Sequence, residues 1–326
     1  MHIAVLGAGG FIGGHLVGRL LREGHDVRAF DIKPLKDWWQ AHDGVPNHSH
    51  FDLRLDRNAR TACADTEHVY QLAADMGGAG YVFTGDNDAA IMHNSMQINL
   101  NVAAACKRCD VKRILYTSSA CIYPAHNQTD PDNPKCNEDS AYPAACDSEY
   151  GWEKIISERL YANYMRNYGL EVRIARLHNV MGEFGSWDDG KEKAPAATCR
   201  KIAEAGDGDT IEIWGDGKQT RSFMYVDDCI DGLTKLMASD HSEPINIGRE
   251  EMVSIDDLFD MVAEIAGKDV KFEHNLTKPQ GVRGRNSDNT KLREVLGWEP
   301  QVNLHDGLCR VYNWIEEQMT NAKPSI

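Results

Sequence analysis

The sequence lacks the features that mark membrane, extracellular and nucleic-acid-binding proteins. None of its 326 residues lies in an apolar run long enough to cross a bilayer. The nine cysteines show no CxxC spacing, which argues against both a zinc cluster and a disulfide framework, so no metal site is expected. Basic residues are few: 35 Lys and Arg against 50 Asp and Glu give a formal net charge of −15. That charge disfavours binding to nucleic acid.

The N-terminal segment has the order of elements of a dinucleotide-binding unit. Residues 2–6 form an uninterrupted apolar run that predicts a buried parallel strand; no signal peptide is therefore expected, and a cytoplasmic location is predicted. Three glycines spaced G-x-x-G-x-x-G follow, and then a predicted helix. Glycine lets the backbone approach a pyrophosphate, and the N-terminus of the helix attracts an anion. The expected contacts are Gly7, Gly10, Phe11, Ile12 and Gly13.

Three further positions are expected to contact the cofactor. Asp31 ends the second predicted strand, where a carboxylate binds the ribose hydroxyls and repels a 2′-phosphate, so NAD is favoured over NADP. Asp52 ends the next strand-like segment and is a candidate contact to the adenine, with a solvated loop acid as the alternative. Leu72, Ala73 and Ala74 end a core strand, where small residues would let the backbone approach the cofactor.

Strand-like and helix-like segments alternate along the first half of the chain. Further strands are predicted at residues 68–72, 113–117 and 171–176, with helices at residues 91–107 and 151–168. This alternation predicts an α/β fold with a Rossmann doubly wound parallel sheet. After about residue 180 the pattern changes, and a smaller, interwoven C-terminal lobe is expected.

Tyr150 and Lys154 stand four residues apart at the start of a predicted helix, so their side chains share one face. A neighbouring ammonium favours the phenolate and is expected to lower the pKa of Tyr150. The phenol would then accept a proton from an alcohol near neutral pH. The pattern is common by chance, but it gains weight behind a dinucleotide-binding segment.

Several longer motifs are shared with one known family. The glycine spacing, Leu72-Ala73-Ala74, Ser118-Ser119 and Tyr150-x-x-x-Lys154 together resemble the extended short-chain dehydrogenase/reductase superfamily. The chain more closely resembles the GDP-mannose 3,5-epimerase family within it. The segments that carry this resemblance are residues 76–78, 118–124, 192–197, 214–217, 219–223 and 281–289.

The resemblance implies an NAD-dependent nucleotide-sugar epimerase that works as a homodimer. It implies an NAD-binding Rossmann domain over residues 1–178, with a returning segment near residues 220–240, and a sugar-nucleotide-binding domain over residues 179–326. A transient ketone at C4 acidifies the hydrogens at C3 and C5, and NAD is recycled. Tyr150, Lys154 and Ser119 would carry the oxidation at C4.

An epimerase also needs proton carriers on both faces of the sugar, and the resemblance assigns this role to Cys121 and Lys193. A thiol beside a lysine suits proton exchange, because a neighbouring cation favours the thiolate. A lysine does the same when burial lowers its pKa. The alternatives without a catalytic role are that Cys121 is a small buried residue and that Lys193 is an ordinary surface lysine.

The resemblance further implies a set of substrate contacts. Lys201, Arg221 and Arg285 are the expected diphosphate partners, and Gly78 is expected to lie against the sugar, where a side chain would clash. His178 is interpreted as structural rather than catalytic. The full set is Gly78, Ser119, Cys121, Asn179, Glu192, Lys193, Ala194, Lys201, Gln219, Thr220, Arg221 and Arg285.

Two other functions fit parts of this pattern. The GDP-fucose synthase family, a 3,5-epimerase and 4-reductase, also has Ser-x-Cys at this position but normally uses NADPH, which Asp31 disfavours. A non-catalytic NAD-binding sensor would usually lose the tyrosine or the lysine, and this chain keeps both. Ala120-Cys121 replaces the Asp-Glu pair typical of sugar-nucleotide dehydratases, so dehydration is disfavoured.

Overall fold

The core of the protein is a seven-stranded parallel sheet, in a computed structural model that describes residues 1–278 and 280–322. Its strand order is β11-β6-β5-β4-β1-β2-β3, and every neighbouring pair is parallel. The strands are β1 (His2–Leu6), β2 (Asp26–Phe30), β3 (Asn47–His48), β4 (His68–Gln71), β5 (Arg113–Ser119), β6 (Glu171–Leu177) and β11 (Pro244–Ile247).

Helices cover both faces of this sheet, which confirms the predicted doubly wound α/β fold. One apolar cluster joins the sheet to α1 and α7, and a second joins its other face to α2, α4 and α5. The helices are α1 (Phe11–Arg22), α2 (Asp56–Cys63), α3 (Ala79–Val82), α4 (Asp88–Arg108), α5 (Glu149–Tyr168), α6 (Ala194–Glu204), α7 (Val226–Ala238), α8 (Ile255–Ala266), α9 (Thr290–Leu296) and α10 (Leu304–Ala322).

A third apolar cluster lies in the C-terminal part of the chain, among α6, α8 and α10. Short strands accompany it: β8 pairs with β13, β9 lies between β12 and β14, and β7 pairs with β10. These strands are β7 (Val180–Met181), β8 (Thr210–Trp214), β9 (Thr220–Arg221), β10 (Met224–Tyr225), β12 (Val253–Ser254), β13 (Lys271–Asn275) and β14 (Gly284–Arg285).

The predicted division at residue 178 stays a prediction, although the packing bears on its details. β6 ends one residue earlier, at Leu177, and the chain then enters the region of the short strands. α7 and β11 return to the main sheet, so the returning segment extends to Ile247 rather than ending near residue 240. Pro279 and residues 323–326 of the second predicted domain lie outside the described residues.

All nine cysteines are free thiols. Among the residues that the structure describes, no helix combines the length and the apolar character needed to traverse a lipid bilayer.

His178 lies at the junction of β6 and β11 and is fully buried. Its backbone N–H donates to the carbonyl oxygen of Ile247 at 3.1 Å, and its Nε2 lies 3.0 Å from Oδ1 of Asn246. Because Oδ1 is an acceptor, Nε2 carries the proton. Burial lowers the pKa of His178 to about 3. The ring is therefore neutral at pH 7, and its contacts are those of a structural residue.

This buried histidine is expected to weaken the fold in acid. Between pH 6.5 and about 3 the unfolded chain binds a proton that the native state does not. The free energy of unfolding therefore falls as the pH falls, by up to about 1.4 kcal/mol per pH unit from this group. Urea unfolding between pH 7 and pH 4.5 measures the slope, which should be shallower in His178→Gln. His126→Gln, at an exposed position, is the matched control, and equal slopes in all three proteins would contradict the assignment.

Candidate active site

The predicted site residues converge at the carboxyl ends of β1, β4 and β5, where open parallel sheets bind their ligands. β5 ends at Ser119 and continues into a tight turn over residues 120–122. The Ser119 hydroxyl accepts a hydrogen bond from the Cys121 N–H at 3.2 Å. A Cβ atom on Gly151 would lie 2.2 Å from the Cys121 carbonyl oxygen, so only glycine allows this turn to lie against α5.

The glycine turn after β1 forms a tight cradle. Gly7 has φ +85°, and a Cβ atom there would lie 2.8 Å from the Ala73 nitrogen. A Cβ atom on Gly13 would lie 2.1 Å from the Gly7 carbonyl oxygen. Among the described residues, the N–H groups of Phe11, Ile12 and Gly13 have no hydrogen-bond acceptor. This donor set at the start of a twelve-residue helix fits a pyrophosphate.

Asp31 closes the cradle on the side of β2. Its carboxylate accepts hydrogen bonds from the backbone N–H groups of Gly9 at 3.0 Å and Lys33 at 2.9 Å. Burial is the largest influence on this group and raises its pKa. A buried acid at this position fits a ribose with free hydroxyls, as in NAD, and opposes a 2′-phosphate.

Asp52 is engaged differently. Both of its carboxylate oxygens accept from Arg54, with Nη2 at 2.9 Å from Oδ2, and this hydrogen bonding lowers the pKa of Asp52. The expected contact with adenine stays a prediction, since the pairing with Arg54 also matches the bland alternative of a loop acid.

Tyr150 and Lys154 occupy the first turns of α5, as their spacing predicts, and both are buried. Ser148 caps this helix by accepting from the Gly151 N–H at 3.3 Å. The Lys154 ammonium donates to the Thr117 carbonyl oxygen at 3.0 Å and lies 5.5 Å from the centre of the Tyr150 ring.

The pKa of Tyr150 departs from the expected direction. Burial raises it, the neighbouring Cys121 and Glu153 add to that effect, and a hydrogen bond with Ser119 opposes it. The expected lowering by Lys154 is therefore wrong for this structure, because the ammonium is turned to Thr117 and desolvation dominates. Burial also lowers the pKa of Lys154.

Cys121 and Lys193 are brought to the same site from distant parts of the chain. Lys193 precedes the first residue of α6, and burial lowers its pKa while the charge of Cys121 opposes that shift. The Lys193 ammonium makes no hydrogen bond within the part of the chain that the structure describes. Both side chains are partly exposed, so each remains open to a ligand.

Gly78 packs closely against the segment before α6. A Cβ atom there would lie 2.1 Å from the carbonyl oxygen of Glu192, and the Gly78 N–H donates to the carbonyl oxygen of Lys191 at 2.9 Å. A side chain at this position would therefore clash with the chain itself, and the expected contact with the sugar stays a prediction. Gly78 fixes the segment that carries Lys193.

Two of the three expected diphosphate partners lie side by side. Arg221 on β9 and Arg285 on β14 are register partners in a parallel pair. Burial lowers the pKa of Arg221 to about 9, and the charge of Arg285 adds to this effect. Arg221 donates only to the carbonyl oxygens of Thr220 at 2.7 Å and Gln280 at 3.3 Å. It has no acidic partner among the described residues, so it suits an anionic ligand.

Arg285, in contrast, is fully engaged within the protein. Its Nη2 pairs with Oδ2 of Asp147 at 2.7 Å, its Nε donates to Oε1 of Gln128 at 2.5 Å, and its Nη1 donates to Sγ of Cys121 at 3.1 Å. Sequence reasoning missed Asp147 and Gln128. No spacing rule joins residues 138 positions apart, and the only local signal is that Asp147 stands just before α5.

Lys201 is also engaged elsewhere, since its ammonium donates to the carbonyl oxygen of Glu212 at 2.7 Å. Its expected role as a diphosphate partner stays a prediction.

The remaining predicted contacts lie around the short strands and the start of α6. Asn179 has φ +23° and donates to the carbonyl oxygen of Ser222 at 3.0 Å. Thr220 donates to the carbonyl oxygen of Pro131, and Ala194 is the exposed first residue of α6. Oε1 of Gln219 and Oε2 of Glu192 are buried without partners among the described residues, which leaves two acceptors for a ligand.

Comparisons with known proteins agree with this geometry. Residues 3–248 match the model of the NAD dependent epimerase/dehydratase family. The chain is 43% identical to GDP-mannose 3,5-epimerase of Arabidopsis thaliana and to GDP-mannose 3,5-epimerase 1 of Oryza sativa subsp. indica. Each alignment covers 99% of this chain and 84% of the relative.

Solved structures give the same result for the fold. UDP-glucuronic acid 4-epimerase from Bacillus cereus, in complex with UDP-glucuronic acid and NAD, superposes with a TM-score of 0.83 at 26% identity. The match covers 98% of this chain and all of that one. The family match confirms the predicted resemblance and NAD as the cofactor, and it confirms that the protein is an enzyme. On its fold, its site and its sequence, this chain belongs to the NAD dependent epimerase/dehydratase family.

Proposed function

We propose that this enzyme epimerises GDP-mannose at C3 and C5, forming GDP-L-galactose, GDP-L-gulose or both through a transient 4-keto sugar. The observation that carries the proposal is the presence of a thiol and an amine, Cys121 and Lys193, beside the pair Tyr150 and Lys154. The full-length similarity to GDP-mannose 3,5-epimerases supports the choice of substrate.

The chemistry explains why both pairs are needed. Hydrogens on a sugar ring are too weakly acidic for any protein base, but a ketone at C4 turns the carbanion at C3 or C5 into an enolate. When bound, NAD accepts a hydride from C4 and later returns it. One oxidation therefore activates two centres.

Tyr150 exchanges the proton of the C4 oxygen. Burial raises the pKa of Tyr150, so the phenol is protonated at neutral pH and suited to returning a proton to C4. Removal of that proton needs the phenolate, which Ser119 favours and burial opposes. Ser119 would hydrogen-bond the same C4 oxygen of the sugar.

Cys121 and Lys193 exchange the carbon-bound protons, one on each face of the sugar. The lowered pKa of Lys193 makes its ammonium a readier proton donor, so Lys193 can return a proton on the face opposite Cys121. Arg221 supplies an unpaired cation for the diphosphate, and Gly78 holds Lys193 in place through residues 191 and 192.

Incubation of the purified enzyme with GDP-mannose in heavy water tests the proposal. We expect deuterium at C3 and C5 of the products by NMR, with no net formation of NADH, because the hydride returns to C4. Stoichiometric consumption of NADPH would instead support an epimerase and reductase of the GDP-fucose synthase type. Absence of deuterium at both carbons would contradict the proposed reaction.

Variants should separate oxidation from proton exchange. Tyr150→Phe is expected to lower turnover by at least about a thousandfold and to abolish transient NADH absorbance, because the C4 proton has no acceptor. Cys121→Ala and Lys193→Ala should keep transient NADH but lose deuterium incorporation. Cys309→Ala, which removes a partly exposed thiol on α10, is the control. Normal exchange in Cys121→Ala or Lys193→Ala would remove that residue from the mechanism.

We also propose a homodimer that buries the outer faces of α4 and α5. Two large apolar side chains are exposed there, Leu100 at 45% and Ile156 at 39%. Exposed apolar groups on adjacent packed helices suit a symmetric contact. The cytoplasmic location stays a prediction from the cysteine pattern.

Light scattering should give twice the chain mass of 36.4 kDa. Leu100→Glu with Ile156→Glu should yield monomers, because four charges would be buried at the symmetric contact. Leu276→Glu, at a more exposed position outside these helices, should remain dimeric. A wild-type monomer, or a dimer that the double substitution leaves intact, would contradict the proposed contact.

A further inference from the structure

We propose, resting on the function above, that Asp147 and Arg285 act as positioning residues for Cys121 and do not bind the diphosphate. The guanidinium of Arg285 holds the sulfur in a fixed orientation, and the carboxylate of Asp147 holds the guanidinium.

The hydrogen bonds fix the guanidinium on three sides. Nε donates to Gln128, Nη1 to the sulfur of Cys121 and Nη2 to Asp147, at 2.5, 3.1 and 2.7 Å. Gln128 is itself held, because its Nε2 donates to the carbonyl oxygens of Tyr123 at 3.0 Å and Pro124 at 3.2 Å. Turning Arg285 toward a ligand would break these bonds inside a buried site.

Burial makes the ion pair between Arg285 and Asp147 hard to separate. The two side chains are only 6% and 9% exposed. Withdrawing one member leaves the other as an uncompensated buried charge, which is strongly destabilising. Arg285 therefore stays paired with Asp147 and does not turn toward a ligand.

Arg221 provides the contrast within the same sheet. It stands beside Arg285 in the parallel register of β9 and β14, is half-buried, and has no carboxylate partner in the described ranges. Two neighbouring arginines thus have separate tasks: the unpaired one attracts the diphosphate, and the paired one serves the thiol.

The contact with sulfur has a direct chemical use. A thiolate accepts a charge-assisted hydrogen bond from a guanidinium, so Arg285 gives the sulfur a fixed partner once its proton is lost. In the exchange step the C–H bond at C3 or C5 breaks, an S–H bond forms, and the electron pair moves into the enolate of the 4-keto sugar. The protein supplies the opposite proton from Lys193, so the step needs no other reactant.

Paired arginine substitutions test the division of tasks. In Arg285→Lys the ammonium can still pair with Asp147 but lacks the fork that also reaches the sulfur. We expect alkylation of Cys121 by iodoacetamide at pH 7, followed by peptide mass spectrometry, to slow by about tenfold, since one charge-assisted bond is lost. Affinity for GDP should stay within about twofold, because this side chain does not touch the diphosphate.

Arg221→Lys is the matched control, and it should show the reverse pattern: weaker binding of GDP and unchanged alkylation of Cys121. Thermal unfolding confirms that both variants are folded. Unchanged alkylation in Arg285→Lys, or a loss of GDP affinity as large as that of Arg221→Lys, would overturn the proposal.

Asp147→Asn provides a readout that structural damage would not mimic. Removing the carboxylate releases Arg285 from its anchor and leaves its charge uncompensated near the diphosphate. GDP should bind several-fold more tightly, while deuterium incorporation at C3 and C5 falls. An unchanged or weaker affinity for GDP would contradict the role of Asp147.

Alkylation and GDP binding do not require turnover. If the wild-type enzyme failed to exchange deuterium, the proposed function would fail while these two measurements still decided the roles of Arg285 and Asp147.

Discussion

The contact on which the site depends is the approach of the Cys121 backbone to Gly151. A Cβ atom on Gly151 would lie only 2.2 Å from the carbonyl oxygen of Cys121, which is too close for any residue but glycine. This contact joins the end of β5 to the start of α5, and so it joins Ser119 and Cys121 to Tyr150 and Lys154. A larger residue at position 151 would push the end of β5 away from α5. It would thereby separate Tyr150 and Lys154 from Cys121.

Charge is distributed unevenly between the surface and the site. The protein has a formal net charge of −15, yet the half-buried Arg221 and the buried Arg285 stand next to each other within it. In the part of the chain that the structure describes, only Arg285 is paired with an acid. An acidic surface discourages binding of large polyanions, whereas a single unpaired guanidinium in an enclosed site retains a strong attraction for a small one. This arrangement supports the proposed preference for a diphosphate over a nucleic acid.

Local patterns predicted the fold well, because they are set by neighbouring residues. The predicted helix over residues 151–168 and strand over residues 171–176 agree with α5 and β6 to within two residues, since Ser148 and Gly169 cap α5 locally at its two ends. The spacing of Tyr150 and Lys154 was likewise sufficient to place both on one face of α5.

Features that depend on tertiary packing were not predictable. The pairing of Asp147 with Arg285 joins segments that no periodicity connects. The direction in which the pKa of Tyr150 shifts depends on how completely the ring is buried, whereas the spacing in the sequence reveals only the neighbouring lysine. Gly78 was correctly identified as a place with no room for a side chain, but the atom that occupies that room, the Glu192 oxygen, comes from more than a hundred residues away.

The contact between Gly78 and residues 191 and 192 links ligand entry to the position of Lys193. The hydrogen bond between the Gly78 N–H and the Lys191 carbonyl oxygen joins the loop after β4 to the segment that leads into α6. Lys193 stands two residues after Lys191. Any movement of this segment that admitted or released a sugar nucleotide would therefore also move the Lys193 amine. Under the proposed function, a 4-keto sugar would therefore meet Cys121 and Lys193 together only while this hydrogen bond is in place.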